Sequence, residues 1–561
     1  MIIVVLMLNF LSLISLNSYK VNGFVNRFNS RRNFAKTLHS TFRRASSSES
    51  SSSFYVTTPI YYVNGEPHLG HAYTSVAADV LARFEKKRGK DVYFLTGTDE
   101  HGQKVQQSAE KANLSPQIFS DNVSEKFRNL IDVLGCSNDD FIRTSEKRHK
   151  DSVVALWKRL EDKGYIYLGA YEGWYSIRDE AFYTESELID GKAPTGAEVE
   201  WVKEESYFFK LSAFTEPLLK YYNENPDFIG PDGRRNEVLS FVSQEGGLRD
   251  LSISRTTFDW GVKVPDAPQH VVYVWLDALT NYISALGWPD NNDLMHKYWP
   301  ADLHIVGKDI LRFHAVFWPA FMMAAELPLP KRIFAHGWWT KDGEKMSKSV
   351  GNVLDPFELV DKYGLDFVRY FMMAEVPFGN DGDFSDEAFA LRINSNLANE
   401  LGNLVQRVFT LVNKNCDKAI PELESGLLAE DKELLTLSRN SLDEVENFMN
   451  KQQMHRAIDS IMGVARACNK YIDVHAPWTL KKTDVPRMKT VLYVLAEVIR
   501  RMAIMLEPFI PTSCGKILDL MNLDESMRTF TSIRDDHRIS PGTAIEKPTP
   551  IFPRIDLETS T

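Results

Sequence analysis

Phe54-Tyr55-Val56-Thr57-Thr58 runs to Pro59, Asn64-Gly65 turns the chain, and from Gly70 the residues Ala72, Val76, Ala77, Val80, Leu81 and Phe84 recur at helical spacing as far as Gly89. A second apolar run, Val92-Tyr93-Phe94-Leu95, stops at Thr96-Gly97-Thr98-Asp99. β-Branched and aromatic residues bounded by a proline predict a strand. The 3.6-residue recurrence that follows predicts a helix packed by one face. Strand, helix and strand within about forty residues make a βαβ unit, which predicts a parallel sheet with ligands beyond the strands' carboxyl ends. The expected fold class is therefore α/β, with a Rossmann-like parallel sheet.

Working outward, residues 147–272 break the rhythm. They are rich in tyrosine, tryptophan and charge, with loops such as Asp190-Gly191-Lys192-Ala193-Pro194, and read as an inserted domain. The α/β pattern resumes with Val271-Val272-Tyr273-Val274-Trp275 and Leu303-His304-Ile305-Val306-Gly307. Asp355-Pro356-Phe357-Glu358 opens a helix, with Asp at the cap and Pro in the first turn. Beyond 393, Leu397, Leu401, Leu404, Val405 and Val408 form one stripe, and Val491, Leu492, Leu495, Ile499, Met502 and Leu506 another, so an all-α bundle is expected. The expected division is 1–53, 54–146, 147–272, 273–338, 339–392, 393–535 and a surface-wrapping tail, 536–561.

The 561 residues are too many for one core, and 43% hydrophobic with 25% charged residues is ordinary globular composition. Cys136, Cys416, Cys468 and Cys514 lie far apart without a CxxC pair, which argues against a disulfide framework or a thiolate zinc knuckle. The first 53 residues differ from the rest. Ile2 to Leu16 is apolar but short for a bilayer span, and Lys20, Arg27, Arg31, Arg32, Lys36, Arg43 and Arg44 follow among serines with one acid, Glu49. That order reads as a two-part targeting leader. It predicts an organellar protein, with the plastid stroma favoured and the mitochondrial matrix or dual targeting as alternatives, and no membrane anchor. Without the leader the chain carries 58 Lys and Arg against 75 Asp and Glu, a net −17 against −11 for the whole. Such acidity is unlike a nucleic-acid binder, so any such contact must come from local basic patches.

Two motifs carry chemistry. His68-Leu69-Gly70-His71 lies between the first strand and its helix, where backbone N–H groups and the helix dipole favour phosphate. Two histidines three apart on an opening turn can face one triphosphate, and Gly70 lets a nucleoside approach the backbone. Capping or surface histidines would satisfy this motif alone. Lys345-Met346-Ser347-Lys348-Ser349 lies between Gly343 and Gly351. A solvated basic loop would read the same way, but paired lysines on a glycine-hinged segment suit a mobile clamp on pyrophosphate oxygens.

Together the two motifs resemble the HxGH and KMSKS signatures of class I aminoacyl-tRNA synthetases. Tyr61 to His71, Gly97-Thr98-Asp99-Glu100-His101-Gly102, Val274-Trp275-Leu276-Asp277-Ala278 and Val306 to His314 are similar to the methionyl-tRNA synthetases, and the resemblance covers nearly everything after the leader. It implies ATP-dependent activation of L-methionine and transfer to tRNA(Met), with Mg²⁺ accompanying ATP. His68, His71, Lys345 and Lys348 would be catalytic and bind ATP with Gly70, Gly307 and Asp309. Ile60, Tyr62, Asp99, Arg255, Trp275, Ala278, Leu279, Tyr282, Ile310, His314 and Trp318 would bind methionine, Asp99 taking the ammonium and Arg255 lying near the carboxylate. A polarizable, unbranched substrate suits such an aromatic slot. Residues 339–392 would contact the tRNA stem, and Asn396, Arg407 and Trp478 the anticodon. Where some relatives carry zinc-binding cysteines this chain has Ser176 and Asp179, so no structural zinc is expected. A monomer is expected as well. The rivals are a synthetase for another aliphatic amino acid, which would carry a larger editing insertion, a non-catalytic tRNA-binding paralogue, and a smaller HxGH nucleotidyltransferase.

Overall fold

The computed structural model describes residues 53–178, 181–183, 185–346 and 352–556. Apart from Ser53, the expected leader lies outside them, as do Lys348 and Asp179.

Strand β1 (Ser53–Thr57) is followed by the two-residue β2 (Tyr61–Tyr62), helix α1 (Leu69–Lys87) and strand β3 (Asp91–Asp99). The local βαβ reading is met. The second strand continues past Leu95 to Asp99 because Thr96, Gly97 and Thr98 pair with β4 (Asp140–Arg143). A Cβ on Gly97 would lie 2.0 Å from the Ile142 carbonyl oxygen, so close strand approach requires the glycine.

Helix α2 (Lys147–Asp162) packs after β4, and the long strands Ile166–Ser176 and Glu200–Phe209 form an antiparallel hairpin. The chain returns through β5 (Ile229–Gly230), which pairs in parallel with the central sheet, so the interval read as an insertion also supplies an edge strand. Ala267–Val272 is extended, but Trp275 is not part of a strand: Tyr273 caps α3 (Val274–Leu279), and the short helix Asn281–Ser284 follows. Strands β6 (Leu303–Gly307) and β7 (Ile333–His336) complete a seven-stranded parallel sheet, in the order β2-β3-β1-β6-β7-β5 with β4 also on β3. The order reverses at β1, whose neighbours are β3 and β6. Loops leaving β1 and β6 therefore part there and leave a crevice.

Asp355 caps Pro356–Tyr363 by accepting from the Phe357 N–H at 2.8 Å, and α4 (Leu365–Ala374) follows. The expected bundle is present as Asn403–Asn415, Ala429–Asn450, Met454–His475 and Val485–Leu506, preceded by a π-helical stretch, Ile393–Gly402. Both predicted leucine and valine stripes are buried. One core runs from α1 (Val76, Phe84) through α4 (Phe367, Phe371) into the bundle (Leu401, Leu492, Met502), while a second fills the other face of the sheet. Each such side chain contributes about 1.5–3 kcal/mol on burial, which joins sheet and bundle mechanically. The tail does more than wrap the surface. Ile539, Ile545 and Phe552 are buried, and Asn394 exchanges hydrogen bonds with the Ile555 backbone.

Candidate active site

The crevice at the reversal of strand order is a cavity of about 600 Å³. Its floor is the loop after β1 and the start of α1. His68 is the N-cap of α1, and its Nδ1 accepts from the Gly70 N–H at 3.1 Å; the His68 N–H donates to His71 Nδ1 at 3.1 Å. Histidines thus form a capping box usually made by hydroxyl and carboxylate groups. A backbone N–H can only donate, so each Nδ1 is an acceptor and the proton of each neutral ring sits on Nε2. The rings stack with centroids 3.7 Å apart, and Tyr61 and Phe127 pack against His71 at 4.9 and 5.0 Å. A Cβ on Gly70 would come within 3.0 Å of the His68 ring, so this arrangement needs glycine.

Gly307, at the end of β6, and Asp309 line the same cavity. The Trp338 indole N–H donates to Asp309 Oδ1 at 3.0 Å, and Lys308 lies 4.2 Å above the Trp338 ring while pairing with Asp381 at 2.7 Å. His336 bridges β7 to α1: its Nδ1–H donates to the Gly337 carbonyl at 2.8 Å, and burial depresses its pKa, so its Nε2 accepts from Thr74 at 2.7 Å.

The other lobe is aromatic. Trp275 stacks on Phe313 at 3.6 Å with rings 9° from parallel. His314 Nδ1–H donates to the Ile310 carbonyl at 3.0 Å, and burial lowers the pKa of His314 to about 4. The ring is then neutral, and its Nε2 accepts the Tyr282 hydroxyl proton at 2.7 Å. Tyr282 also stacks on buried His304 at 4.1 Å. Asp99, at the tip of β3, is the carboxylate of this lobe.

Of the expected ATP residues, His68, Gly70, His71, Gly307 and Asp309 line the cavity, as do Ile60, Tyr62, Asp99, Trp275, Ala278, Leu279, Tyr282, Ile310 and His314 of the methionine set. Two residues stand off its wall. Trp318 is fully buried behind Tyr282 and Trp299, with ring centroids at 6.0 and 6.2 Å, because it begins the next helical turns and faces the core. Arg255 is held within the region between α2 and α3. Its guanidinium donates to Ser252 Oγ at 2.8 Å and the Ser254 carbonyl at 2.7 Å, and lies 4.6 Å from the Tyr273 ring. The backbone of Lys345 belongs to the two-residue strand Glu344–Lys345, while Lys348 lies outside the described residues. Sequence reasoning passes over Phe313, Thr74, His336, Trp338 and Lys104, all on the wall. Phe313 lies inside the Val306–His314 stretch, and Trp338 precedes the lysine loop; the other three carry no signal.

In the bundle, the Arg407 guanidinium pairs with Asp473 at 2.6 Å and lies 5.2 Å from the ring of Trp478, which is 40% exposed. Half-buried Asn396 stands on the preceding π-helical stretch. Ser176 is a buried hydroxyl, not a thiolate, and does not suit zinc. Among the described residues no cluster of three or more His, Cys, Asp or Glu could hold a metal, and no helix is long and apolar enough to cross a membrane.

A parallel sheet with paired histidines at the reversal point, followed by a helix bundle, is the architecture of a class I aminoacyl-tRNA synthetase. The family described as tRNA synthetases class I (M) matches residues 54–200 and 185–409, and the anticodon binding domain of methionyl tRNA ligase matches 421–561. A methionine–tRNA ligase of Rickettsia felis is 56% identical over 506 residues, 90% of this chain and 98% of that protein. One of Rhizobium meliloti is 53% identical over 90% of this chain and 98% of its own length. Mycobacterium tuberculosis methionyl-tRNA synthetase in complex with methionyl-adenylate superposes with a TM-score of 0.86 at 50% identity, covering 90% of this chain and all of that one. The chain belongs to the methionyl-tRNA synthetases, and is an enzyme of the methionine–tRNA ligase type. The organellar expectation, plastid or mitochondrial, is corrected by these relatives: enzymes this similar over nine-tenths of the chain are bacterial, from Rickettsia, Rhizobium and Brucella. Basic, serine-rich composition describes residues 1–53 alone and weighs less than kinship over the remainder.

Proposed function

We propose that the cavity binds L-methionine and ATP side by side and joins them as methionyl-adenylate before transfer to tRNA(Met). The observation that carries this reading is the shared wall. Nε2-protonated His68 and His71 floor one lobe, and Asp99 with Trp275, Tyr282 and His314 builds the other. A methionine carboxylate oxygen attacks the α-phosphorus, the bond to the β-phosphate oxygen breaks, and pyrophosphate leaves. The terminal ribose hydroxyl of tRNA then attacks the acyl carbon and AMP departs. No protein nucleophile is needed; positioning and charge stabilisation do the work.

In this reading His68 and His71 donate to the phosphates, Gly70, Gly307 and Asp309 receive the nucleoside, and Lys345 and Lys348 draw off pyrophosphate. Asp99 takes the substrate ammonium, and Ile60, Tyr62, Trp275, Ala278, Leu279, Tyr282, Ile310 and His314 enclose the side chain. Trp318 supports Tyr282 from behind, and Arg255 orders the neighbouring segment instead of meeting the carboxylate. Asp99 and Asp309 are the carboxylates among the lining residues, which suits Mg²⁺ carried in on phosphate oxygens and supplying charge neutralisation there. Asn396, Arg407 and Trp478 read the anticodon, the tryptophan offering a stacking face. The segments 54–146 and 273–338 act as catalytic halves, 339–392 meets the stem and 393–535 the anticodon. A monomer is the proposed working unit.

Pyrophosphate exchange with methionine on Lys348→Ala tests the clamp. Slowing by orders of magnitude in a folded protein supports the assignment; an unchanged rate removes it.

A further inference from the structure

Behind the aromatic lobe a single carboxylate joins three elements. Asp277 lies on α3 between Trp275 and Ala278, which line the cavity, but is itself fully buried behind the wall. Its Oδ2 accepts the Nδ1–H of His101 at 2.6 Å, and its Oδ1 accepts the Nε2–H of His149 at 2.8 Å. His101 follows Asp99 by two residues, just beyond β3, and packs edge-on against Trp260 at 5.3 Å. The Trp260 indole N–H donates to the Glu100 carbonyl. His149 stands on α2, with its Nδ1 3.0 Å from the Ser284 hydroxyl, on the short helix that carries Tyr282. All three side chains are buried.

An isolated buried carboxylate would cost several kcal/mol, so two donors at short range are what this position requires. Burial alone would raise the Asp277 pKa, but His101 and His149 hold it well below the usual carboxylate range. The carboxylate therefore stays ionised and the geometry stays closed at working pH. Its partners adjoin Asp99, Trp275 and Tyr282; the capping histidines and the Gly307–Asp309 turn lie on other elements.

We propose that Asp277 is a positioning residue for the amino acid: with His101 and His149 it fixes the span between the Asp99 carboxylate and the Trp275–Tyr282 wall. An amino acid is held at two ends, ammonium and side chain, so its binding depends on that span, whereas ATP is held elsewhere. The inference rests on reading this lobe as the methionine site.

Asp277→Asn preserves shape but turns an amide N–H₂ toward one of two donor rings. Pyrophosphate exchange is measured against methionine and against ATP, with wild type alongside. A rise in the methionine KM of roughly tenfold or more is expected, because small misplacement of a binding wall is costly. The ATP KM should stay within about twofold, since uniform damage would move both. His101→Gln, which cuts only the arm to β3, should move the methionine KM in the same direction and carries the comparison if Asp277→Asn does not fold. A methionine KM within about twofold of wild type in a folded variant, even with a lowered melting temperature, overturns the positioning role. Wild type failing to exchange with methionine would overturn the site reading and this role together.

Discussion

Arg369 and Asp79, 290 residues apart, form a fully buried ion pair at 2.6 Å. Asp79 stands on α1, whose first turn holds the capping histidines, and Arg369 on α4. The same guanidinium donates to the carbonyls of Leu134, Pro508 and Phe509, at 3.1, 3.0 and 3.0 Å. Catalytic helix, post-loop helix and bundle corner are thus tied at one planar group, a geometry that arginine's fixed fork of donors suits and lysine's does not.

Burial would raise the Asp79 carboxyl, yet Arg369 and Arg83 hold it below the usual carboxylate range. Asp79→Asn leaves Arg369 buried without its counter-charge and should cost about 3–5 kcal/mol of stability. Denaturant unfolding measures this; a loss below about 1 kcal/mol, typical of an exposed pair, would contradict it.

His314 is buried neutral, with a pKa near 4 against 6.5 when exposed. The unfolded chain therefore binds a proton that the folded site refuses. Stability from this group is complete above pH 6.5 and declines as pH falls toward 4, by roughly 3 kcal/mol in all. Comparing unfolding free energies of wild type and His314→Gln between pH 7 and pH 5 should show a shallower acid slope in the variant. Parallel slopes would place the proton elsewhere.

At Gly70 a side-chain methyl would stand only 3.0 and 3.1 Å from the nearest atoms of the His68 ring. Gly70→Ala should push the His68 ring off its stack on His71 and slow methionine-dependent exchange by roughly tenfold to a hundredfold. Thermal stability should change little, since alanine suits a helix better than glycine. Exchange at the wild-type rate would show that the stacked pair is not needed.

Trp478, 40% exposed beside Arg407, is the proposed stacking face for an anticodon base. Trp478→Ala should lower kcat/KM for tRNA charging by about 1–3 kcal/mol of stacking, roughly fivefold to 150-fold, and leave pyrophosphate exchange unaltered. Equal losses in both assays would mean that Trp478 supports the fold.

Local order is legible where one period governs one element. The βαβ unit from Phe54 to Asp99 and the Val491–Leu506 stripe need no partner to be read. Trp275 reads as part of a strand because Val271 and Val272 are β-branched, although the turn at Tyr273 starts a helix there. Trp318 and Arg255 sit at the right places along the chain, but which side of an element faces the cavity depends on tertiary packing. His101, His149 and Asp277 come from three separated segments, and nothing in the sequence joins them. Capping is one reading the sequence offers for the two histidines, but the reciprocal box and the stacked rings depend on backbone geometry that spacing alone does not carry.

The central claim, that this cavity activates methionine, is tested most directly by pyrophosphate exchange across the twenty amino acids. Methionine should drive the fastest exchange, because the unbranched slot between Trp275, Tyr282 and His314 suits its thioether. Fastest exchange with leucine or valine would contradict it.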